Sequence, residues 1–428
     1  MGAYMFAEKK IPIFDFVSAI SETADLVSPA LNLHHQKVAY AAYKIAQEMG
    51  ISGDELQDIV LASMLHDIGA FSIGERIKLL RHKLDDSELT QHALLGYKLI
   101  KNFTPLSNAA ALIKYHHTVF DQSKRYVPMG SYIIHLADSV CLLVNEQREI
   151  LSQVPEVIEK IIRDKNKYHP DTLMAFSRLT TLEYFWVEAF SPGFSAGILQ
   201  KALVSKNITG IETLRDFARV IAQIIDFRSR FTATHSSGVA AVAMELAAIS
   251  GFSENECKLI EIAGFLHDLG KLSVSNDILE KNGTLNDAEY NSIRKHPYYT
   301  YAVLKRINSL GDIAGWAAYH HERQDGDGYP FHVKGEDFLK PARIMAVADI
   351  LTALTEDRPY RQGMCREQTA KILVNMAESG AIDMSIVEMA NKNFLRINDT
   401  RTKAQQEARN EYVLFHETIN KNYISSAW

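Results

Sequence analysis

The sequence has few cysteines and no long apolar run, and each shortage excludes a class of protein. The three cysteines, Cys141, Cys257 and Cys365, lie far apart and form no Cys-x-x-Cys pair. This spacing argues against a disulfide framework and fits a reducing cytoplasm. The most apolar stretch, residues 132–144, includes a histidine and an aspartate and is too short to span a membrane. No basic start followed by an apolar core marks a signal peptide, so we expect a soluble, cytoplasmic protein.

Basic residues are also fewer than acidic residues. Lysine and arginine number 46 against 52 aspartates and glutamates, which gives a formal net charge of −6. Long nucleic acids require a basic face, so a nucleic-acid polymer is a poor candidate for the partner, and we expect no membrane contact. A small anionic ligand is still compatible with this composition, because a local cluster of cations or metal ions can make one site positive in a protein of negative net charge.

Signals for β-structure are absent as well. No pair of alternating apolar runs is joined by a hairpin turn signal. Segments such as 237–250 and 255–270 instead carry apolar residues at the i, i+3, i+4 and i+7 spacing of an amphipathic helix. The sequence therefore predicts an all-α protein, and its length of 428 residues suggests two or three domains.

The sequence contains an internal duplication. The first histidine of each half precedes a His-Asp pair by the same 32 residues (66 − 34 and 267 − 235). The residues repeated in order are His34, His66, Asp67, His92, His116, His117 and Asp138 in the first half, and His235, His267, Asp268, His296, His320, His321 and Asp349 in the second. We infer two tandem homologous domains, 10–190 and 195–428, with residues 191–197 as the linker.

The repeated residues are metal-ligand types. Imidazole and carboxylate are the ligands that iron, manganese, zinc and nickel prefer in proteins. Seven such groups exceed the needs of one ion, whereas two ions that share a bridging carboxylate use all of them, and Asp268 is the natural bridge. Two ions lower the pKa of a bridging water, aim it at phosphorus and neutralise the transition state. The second half is therefore predicted to hold a hydrolytic site suited to phosphodiesters.

The order of these residues resembles the HD superfamily of metal-dependent phosphohydrolases, and the second half resembles its HD-GYP phosphodiesterases. The matching motifs are HDLGK at 267–271, KNGTL at 281–285, KHP at 295–297, HHERQDGDGYP at 320–330 and ARIMAVADILTALTEDRPYR at 342–361. The resemblance implies two HD-type helical bundles, the second an HD-GYP domain. It also implies hydrolysis of cyclic di-GMP, or a related cyclic dinucleotide, to a linear dinucleotide at a centre of two iron or manganese ions, with nickel and zinc as alternatives.

The resemblance also assigns roles to individual residues. One ion would be bound by His235, His267, Asp268 and Asp349, and the other by Asp268, His296, His320 and His321. Lys271 would donate to a phosphate oxygen, and Asp268 and Lys271 together form the predicted catalytic pair. Substrate contacts would come from Lys271, Tyr329 of the Gly-Tyr-Pro loop, Arg358 and Arg361.

Two departures from the family pattern bear on these expectations. Phe231, and Ala30 in the first half, stand where some members carry a glutamate that recruits a third metal, so we expect two ions. Thr352 stands where the family often has an aspartate. This change makes cyclic GMP-AMP an alternative substrate, and a platform that binds the nucleotide without cleaving it an alternative of another class.

The first half keeps its seven ligand-type residues but differs beside them. It has Ala70 in the place of Lys271 and lacks the Gly-Tyr-Pro loop. We interpret it as a degenerate HD domain with a second metal site that regulates, forms a homodimer, meets a signalling partner or binds nucleotide.

Overall fold

The computed structural model describes residues 10–28, 33–70, 86–122, 126–202, 206–229, 232–281, 283–357 and 361–425. The chain folds into two compact units: the first unit comprises Pro12–Asn207, and the second comprises the chain from Ile208 onward together with the segment that ends at Ile11. Nearly all regular structure in the described residues is helical, which confirms the all-α prediction. None of the described helices is both long enough and apolar enough to cross a membrane.

The first unit contains ten described α-helices. They are α1 (Ile13–Asp25), α2 (His34–Glu48), α3 (Gly53–Leu65), α4 (Asp86–Ile100), α5 (Ser107–Lys114), α6 (Met129–Leu143), α7 (Val154–Arg163), α8 (Pro170–Leu179), α9 (Glu183–Ala189) and α10 (Pro192–Ala202), with 3-10 turns at Thr104–Leu106, Leu151–Gln153 and Lys165–Lys167. The prediction of a linker at 191–197 is wrong, because most of this segment lies in α10. Proline is well tolerated at the first position of a helix, where its missing N–H would have no partner.

The second unit contains eleven described α-helices. They are α11 (Ile211–Asp226), α12 (His235–Ile249), α13 (Glu254–Leu266), α14 (Asn276–Leu279), α15 (Asp287–Ile293), α16 (His296–Arg306), α17 (Ile313–Ala318), α18 (Lys340–Thr355), α19 (Arg366–Glu378), α20 (Met384–Lys392) and α21 (Phe394–Ser425), with 3-10 turns at Leu269–Ser273, Asn308–Leu310, Tyr319–His321 and Gly335–Asp337. Two strands of three residues, β1 (Lys10–Pro12) and β2 (Asn207–Thr209), form a two-stranded sheet. They are too short for an alternating pattern to reveal them in the sequence.

Each unit is built around one buried central helix. Helix α2 packs against α3, α6, α8 and α10, and α12 packs against α13, α18 and α21. Both central helices begin at the first histidine of the repeated set, so the core fixes the position of that side chain.

Small residues bring α12 and α13 close together. A Cβ atom added at Gly264 of α13 would lie 2.5 Å from the Cα atom of Ala240 on α12. Helix α13 starts with a capping box, in which the Ser253 side chain accepts from the backbone N–H of Glu256 and the Glu256 carboxylate accepts from that of Ser253. The cap and the close crossing together fix the end of α13, where the His-Asp pair follows.

The glycine after each His-Asp pair lies against the backbone of the next ligand. A Cβ atom added at Gly270 would lie 1.9 Å from the carbonyl oxygen of His296, and one added at Gly69 would lie 2.1 Å from that of His92. Only a residue without a side chain allows this approach. The repeated glycine therefore sets the separation of the second and third ligand segments in both units.

We predict that Gly270→Ala destabilises the protein by about 3 kcal/mol, because the added methyl group meets backbone rather than a flexible side chain. Urea unfolding followed by circular dichroism measures the change. Gly193→Ala is the matched control, since a Cβ atom there meets nothing within 4 Å. Equal unfolding midpoints for the two variants would contradict the prediction.

Candidate metal centre

The predicted ligands of the second unit converge at helix ends. His235 is the first residue of α12, His267 and Asp268 follow the last turn of α13, and His296 is the first residue of α16. His320 and His321 lie in the 3-10 turn after α17, and Asp349 lies within α18. Because α12, α13, α17 and α18 pack on one another, the turns that end them bring these side chains together.

The seven side chains form two adjoining groups around Asp268. In the first, His235 Nε2 lies 3.2 Å from Asp349 Oδ1, and His267 Nε2 lies 3.2 Å from Asp268 Oδ2. In the second, His296 Nε2 lies 3.3 Å from Asp268 Oδ1 and 3.1 Å from His320 Nε2. His321 shares this group, and the ligand atoms of the three histidines all lie within 4.8 Å of one another. The two oxygens of Asp268 thus face different groups, as a bridging carboxylate requires.

A repeated hydrogen bond orients the ligating imidazoles. The Nδ1 atoms of His267, His296 and His320 lie 2.7 to 2.8 Å from the carbonyl oxygens three residues earlier, those of Gly264, Ile293 and Ala317. A carbonyl accepts only, so Nδ1 carries the proton and Nε2 keeps a lone pair directed at the centre of the cluster. Histidines held in this way are preorganised for metal binding.

His235 is held by a carboxylate instead. Its Nδ1 lies 3.2 Å from Oε2 of Glu356, a buried residue 121 positions away in the sequence. Glu356 in turn accepts a hydrogen bond of 3.0 Å from the Gln405 side chain. A carboxylate on the far nitrogen of a ligating histidine makes the imidazole a stronger donor to metal. Sequence reasoning missed Glu356, since nothing in the sequence links it to His235.

We predict that Glu356→Gln lowers the affinity of the second unit for metal by about tenfold to a hundredfold, because the amide keeps the shape but not the charge. Chelator competition followed by elemental analysis of the protein measures this affinity. Glu378→Gln, at an exposed position of α19, serves as the control. An affinity within twofold of the unmodified protein would remove Glu356 from this role.

The electrostatics of the cluster fit a cation at its centre. Burial disfavours the charge of Asp268, but the charges of His267 and Lys271 hold the pKa of its carboxyl well below the usual range. Burial and the neighbouring His321 hold the pKa of His320 well below its usual value. Burial opposes protonation of His235, yet the charges of Glu356 and Asp349 raise the pKa of this imidazole to about 10. Asp268 is therefore ionised, and the raised pKa of His235 shows that its two neighbouring carboxylates stabilise a positive charge at this place.

Buried atoms without partners point to the same conclusion. Asp268 Oδ1 is buried and has no hydrogen-bond partner among the described residues. Buried polar atoms are rarely left unsatisfied in proteins, and a buried carboxylate oxygen is especially costly to leave so. The donor set, the three imidazoles whose Nδ1 atoms face carbonyl oxygens and this oxygen all fit bound metal ions.

Lys271 lies at the edge of the centre, in the 3-10 turn Leu269–Ser273. Its Nζ atom is 2.6 Å from Asp268 Oδ2. Burial disfavours the ammonium charge, but the negative charge of Asp268 outweighs it and raises the pKa of Lys271. The side chain is therefore a fixed cation beside the position that the ligands surround.

The Gly-Tyr-Pro loop is anchored to the ligands. The backbone N–H of Tyr329 donates to the carbonyl of His321 over 3.1 Å, and the Tyr329 ring stacks on the His321 imidazole at 4.9 Å between centroids. Arg294 lies over the same tyrosine ring, at 4.8 Å. A Cβ atom at Gly328 would lie 2.3 Å from the backbone nitrogen of Arg323, so the loop folds tightly against the segment after the His-His pair.

Glu322, which sequence reasoning did not single out, fixes the end of this loop. Its buried carboxylate accepts hydrogen bonds from the backbone N–H groups of Phe331 and Val333, at 2.7 and 3.1 Å. Its only signal in the sequence is its place directly after the His-His pair.

A cavity of about 450 Å³ opens beside the predicted metal ligands of the second unit. His321, Asp349, Arg323 and Arg361 line it together with apolar side chains of α18 and α19. Lys271 and Tyr329 are not among its lining residues, and Arg358 lies outside the described residues. Phe231 and Ala30, the positions considered for a third metal ligand, also lie outside them.

Thr352 does not face this cavity. Its side chain is fully buried in α18 and packs toward Gly238 of α12. A direct contact between Thr352 and a base is therefore a poor basis for choosing among substrates.

The first unit brings its seven retained residues together in the same way. His34 Nε2 lies 3.2 Å from Asp138 Oδ1, and His92 Nε2 lies 3.2 Å from Asp67 Oδ1. His66, His92, His116 and His117 complete two groups of ligand atoms within 4.8 Å of one another. The buried atoms without hydrogen-bond partners among the described residues include His66 Nε2, Asp67 Oδ1 and Asp138 Oδ1. Like the second set, this one fits bound metal.

Comparisons with protein families match both units. A family model described as "HD domain" matches residues 219–386, and another with the same description matches residues 33–172. The 3'3'-cGAMP-specific phosphodiesterase 1 of Vibrio cholerae is 30% identical over 382 residues, which cover 84% of this chain and 86% of that protein. The cyclic di-GMP phosphodiesterase response regulator RpfG of Xanthomonas campestris is 36% identical over 167 residues, 38% of this chain and 43% of that protein.

A solved structure shares the fold. The crystal structure of a cyclic GMP-AMP specific phosphodiesterase of V. cholerae, V-cGAP3, superposes with a TM-score of 0.62 over 90% of this chain and 98% of that chain. The sequence identity is 19%, so this likeness shows the fold alone.

The 3'3'-cGAMP-specific phosphodiesterases 2 and 3 of V. cholerae are matched over only about a third of their length, 32% and 33%.

Proposed function

The chain belongs to the HD-GYP family of metal-dependent phosphodiesterases, and we propose that its second unit hydrolyses 3',3'-cyclic GMP-AMP in preference to cyclic di-GMP. Both reactions open one phosphodiester bond of a cyclic dinucleotide and release a linear dinucleotide. The observation that supports this preference most is the extent of similarity. The relative that aligns over 84% of this chain is named for cyclic GMP-AMP, whereas those named for cyclic di-GMP align over 31 to 42% of it.

Cyclic di-GMP, the substrate that the sequence favours, is the second candidate. The relatives named for it include RpfG and the cyclic di-GMP phosphodiesterase PA4108 of Pseudomonas aeruginosa, both 36% identical to this chain over the matched region.

We assign two metal ions, iron or manganese, to the seven ligands of the second unit. His235, His267, Asp268 and Asp349 would hold one ion, and Asp268, His296, His320 and His321 the other. When bound, such ions supply an activated water and neutralise charge on the phosphate.

The protein's own side chains would bind the substrate and neutralise charge on its phosphates. Lys271 Nζ would donate to a phosphate oxygen once a substrate draws it from Asp268, and its charge would offset the negative charge that develops on that oxygen. Arg361 and Arg323 line the cavity beside His321 and Asp349, where a guanidinium would bind the second phosphate or a guanine edge. Tyr329 does not line this cavity, but its ring stacks on His321, and we assign it a substrate contact next to that histidine.

In the first unit we propose metal binding without catalysis. Its seven ligand-type residues are in place, but Ala70 replaces the cation at Lys271, and the loop that presents Tyr329 has no counterpart in the sequence.

A side-by-side turnover assay tests the substrate assignment. Pure protein loaded with iron or manganese is incubated with each cyclic dinucleotide, and the linear products are separated by chromatography. We expect kcat/KM for cyclic GMP-AMP to exceed that for cyclic di-GMP by about tenfold or more, the effect of one well-placed hydrogen bond to a base. Equal or reversed values would overturn the preference. Tight binding of both without turnover would instead support the non-cleaving platform.

A further inference from the structure

The first unit contains a cavity of about 510 Å³ beside its retained ligands. His117 and Asp138, the last two of the seven ligand-type residues, lie in its wall. Three basic side chains, Lys160, Arg163 and Lys167, line it from the end of α7 and the 3-10 turn that follows. Metal ligands and cations thus share one enclosed space.

The second unit has a cavity at the equivalent ligands. His321 and Asp349 hold the same places in the repeat as His117 and Asp138, and they too line a cavity that contains arginine. The cations come from different parts of the chain in the two units. A cavity with basic side chains beside these two ligand-type positions is therefore a feature of both units, although the first has no counterpart of Lys271 or of the Gly-Tyr-Pro loop.

His135 supports a ligand in the cavity of the first unit. It lines the cavity three residues before Asp138, where the second unit has Ala346 three residues before Asp349. Its Nδ1 atom is buried and has no hydrogen-bond partner among the described residues. The other ring nitrogen makes a backbone hydrogen bond with Thr118, so Nδ1 is an acceptor. A hydroxyl or N–H group of a bound nucleotide, rather than its phosphate, would satisfy it.

The basic side chains are available to an anion. Lys160 pairs with Glu156, and Lys167 with Asp164, each at 2.8 Å and with both side chains at least a third exposed. Such surface pairs contribute little free energy, so a more strongly charged partner displaces them readily. Asp164 also lines the cavity and Arg163 is exposed, so the lining has three cations against the carboxylates of Asp164 and Asp138.

We propose that this cavity binds the terminal phosphate of a nucleotide, between the metal held by the first unit and Lys160, Arg163 and Lys167. The inference rests on the proposed metal binding of this unit. A phosphate monoester carries nearly two negative charges at neutral pH, whereas each phosphodiester carries one, so three cations and metal favour the monoester. Leu142 and Leu143 form an apolar wall against which a base can pack.

The terminal phosphate distinguishes this ligand from the intact substrate. A cyclic dinucleotide has no phosphate monoester, but the linear dinucleotide released by the second unit carries one. The cavity therefore suits the product class of the reaction, or another nucleotide monophosphate, rather than its substrate. With Ala70 at the position of Lys271, the expected outcome is binding rather than cleavage.

The test uses the full chain in an Asp268→Asn background, so that binding to the second unit is suppressed. Elemental analysis reports the metal that remains, and addition of Asp67→Asn should remove it. Calorimetric titration then compares inorganic phosphate, guanosine 5'-monophosphate and intact cyclic GMP-AMP. We expect the monophosphate to bind, and Arg163→Gln and Lys167→Gln each to weaken it by about tenfold. Lys165→Gln, on the same exposed turn but outside the cavity lining, should change it less than twofold.

The outcomes separate the inference from the proposals on which it rests. If metal remains but the monophosphate fails to bind, or binds equally well to Arg163→Gln, the phosphate site is wrong and the metal proposal stands. If no metal remains in the Asp268→Asn chain, the metal site and the phosphate site of the first unit are both wrong. The proposal that the second unit of the unmodified protein is catalytic does not depend on this result. Intact cyclic GMP-AMP that binds as tightly as the monophosphate would overturn the choice of a monoester.

Discussion

Replacement of Asp268 by alanine should abolish metal binding in the second unit and lower phosphodiesterase turnover by about a thousandfold or more. Asp268 faces both groups of ligands, with Oδ2 3.2 Å from His267 Nε2 and Oδ1 3.3 Å from His296 Nε2. Loss of this carboxylate removes a ligand from each group and lowers the negative charge that attracts the cations. Elemental analysis and the cyclic dinucleotide assay measure the two effects on the same preparation.

Two further variants make this result specific. Asp268→Asn keeps the shape of the side chain, so a similar loss there ties the effect to the charge rather than to a cavity. Asp287→Ala changes an exposed aspartate at the start of α15 and should leave metal content and turnover unaltered. Retention of the full metal complement by Asp268→Ala would exclude the bridging role.

The parts of the site that repeat along the chain were predictable from the sequence. The order of ligand types recurs in both halves at equal spacings, and helical periodicity places these residues at the ends of packed helices. For this reason the all-α fold, the two ligand groups and the location of Asp268 between them could all be anticipated.

The parts that depend on distant contacts were not predictable. Glu356 meets His235 across 121 residues, and only the packing of α18 against α12 brings them together. Thr352 follows Asp349 by three residues of the same helix, yet its side chain is buried against Gly238 of α12. The cavity of the first unit depends on basic residues beyond the repeated motifs, where the two halves share no pattern.

Lys271→Gln is expected to slow catalysis by about a hundredfold while the metal ions stay bound. The ammonium group lies 2.6 Å from Asp268 Oδ2, but it is a cation and so cannot itself be a metal ligand. Its loss removes positive charge from the place where negative charge develops on the phosphate, an effect expected mainly in kcat rather than in KM. Steady-state kinetics and elemental analysis of the same protein separate these effects.

The comparison that decides the role of Lys271 is between this variant and Lys371→Gln, which changes an exposed lysine of α19 and should behave as the unmodified protein. If Lys271→Gln loses metal along with activity, the lysine acts by holding Asp268 in position. If its kcat is unchanged, the lysine has no part in the chemical step. A fall in kcat with full metal content distinguishes a group that stabilises the reacting phosphate from one that only builds the metal centre.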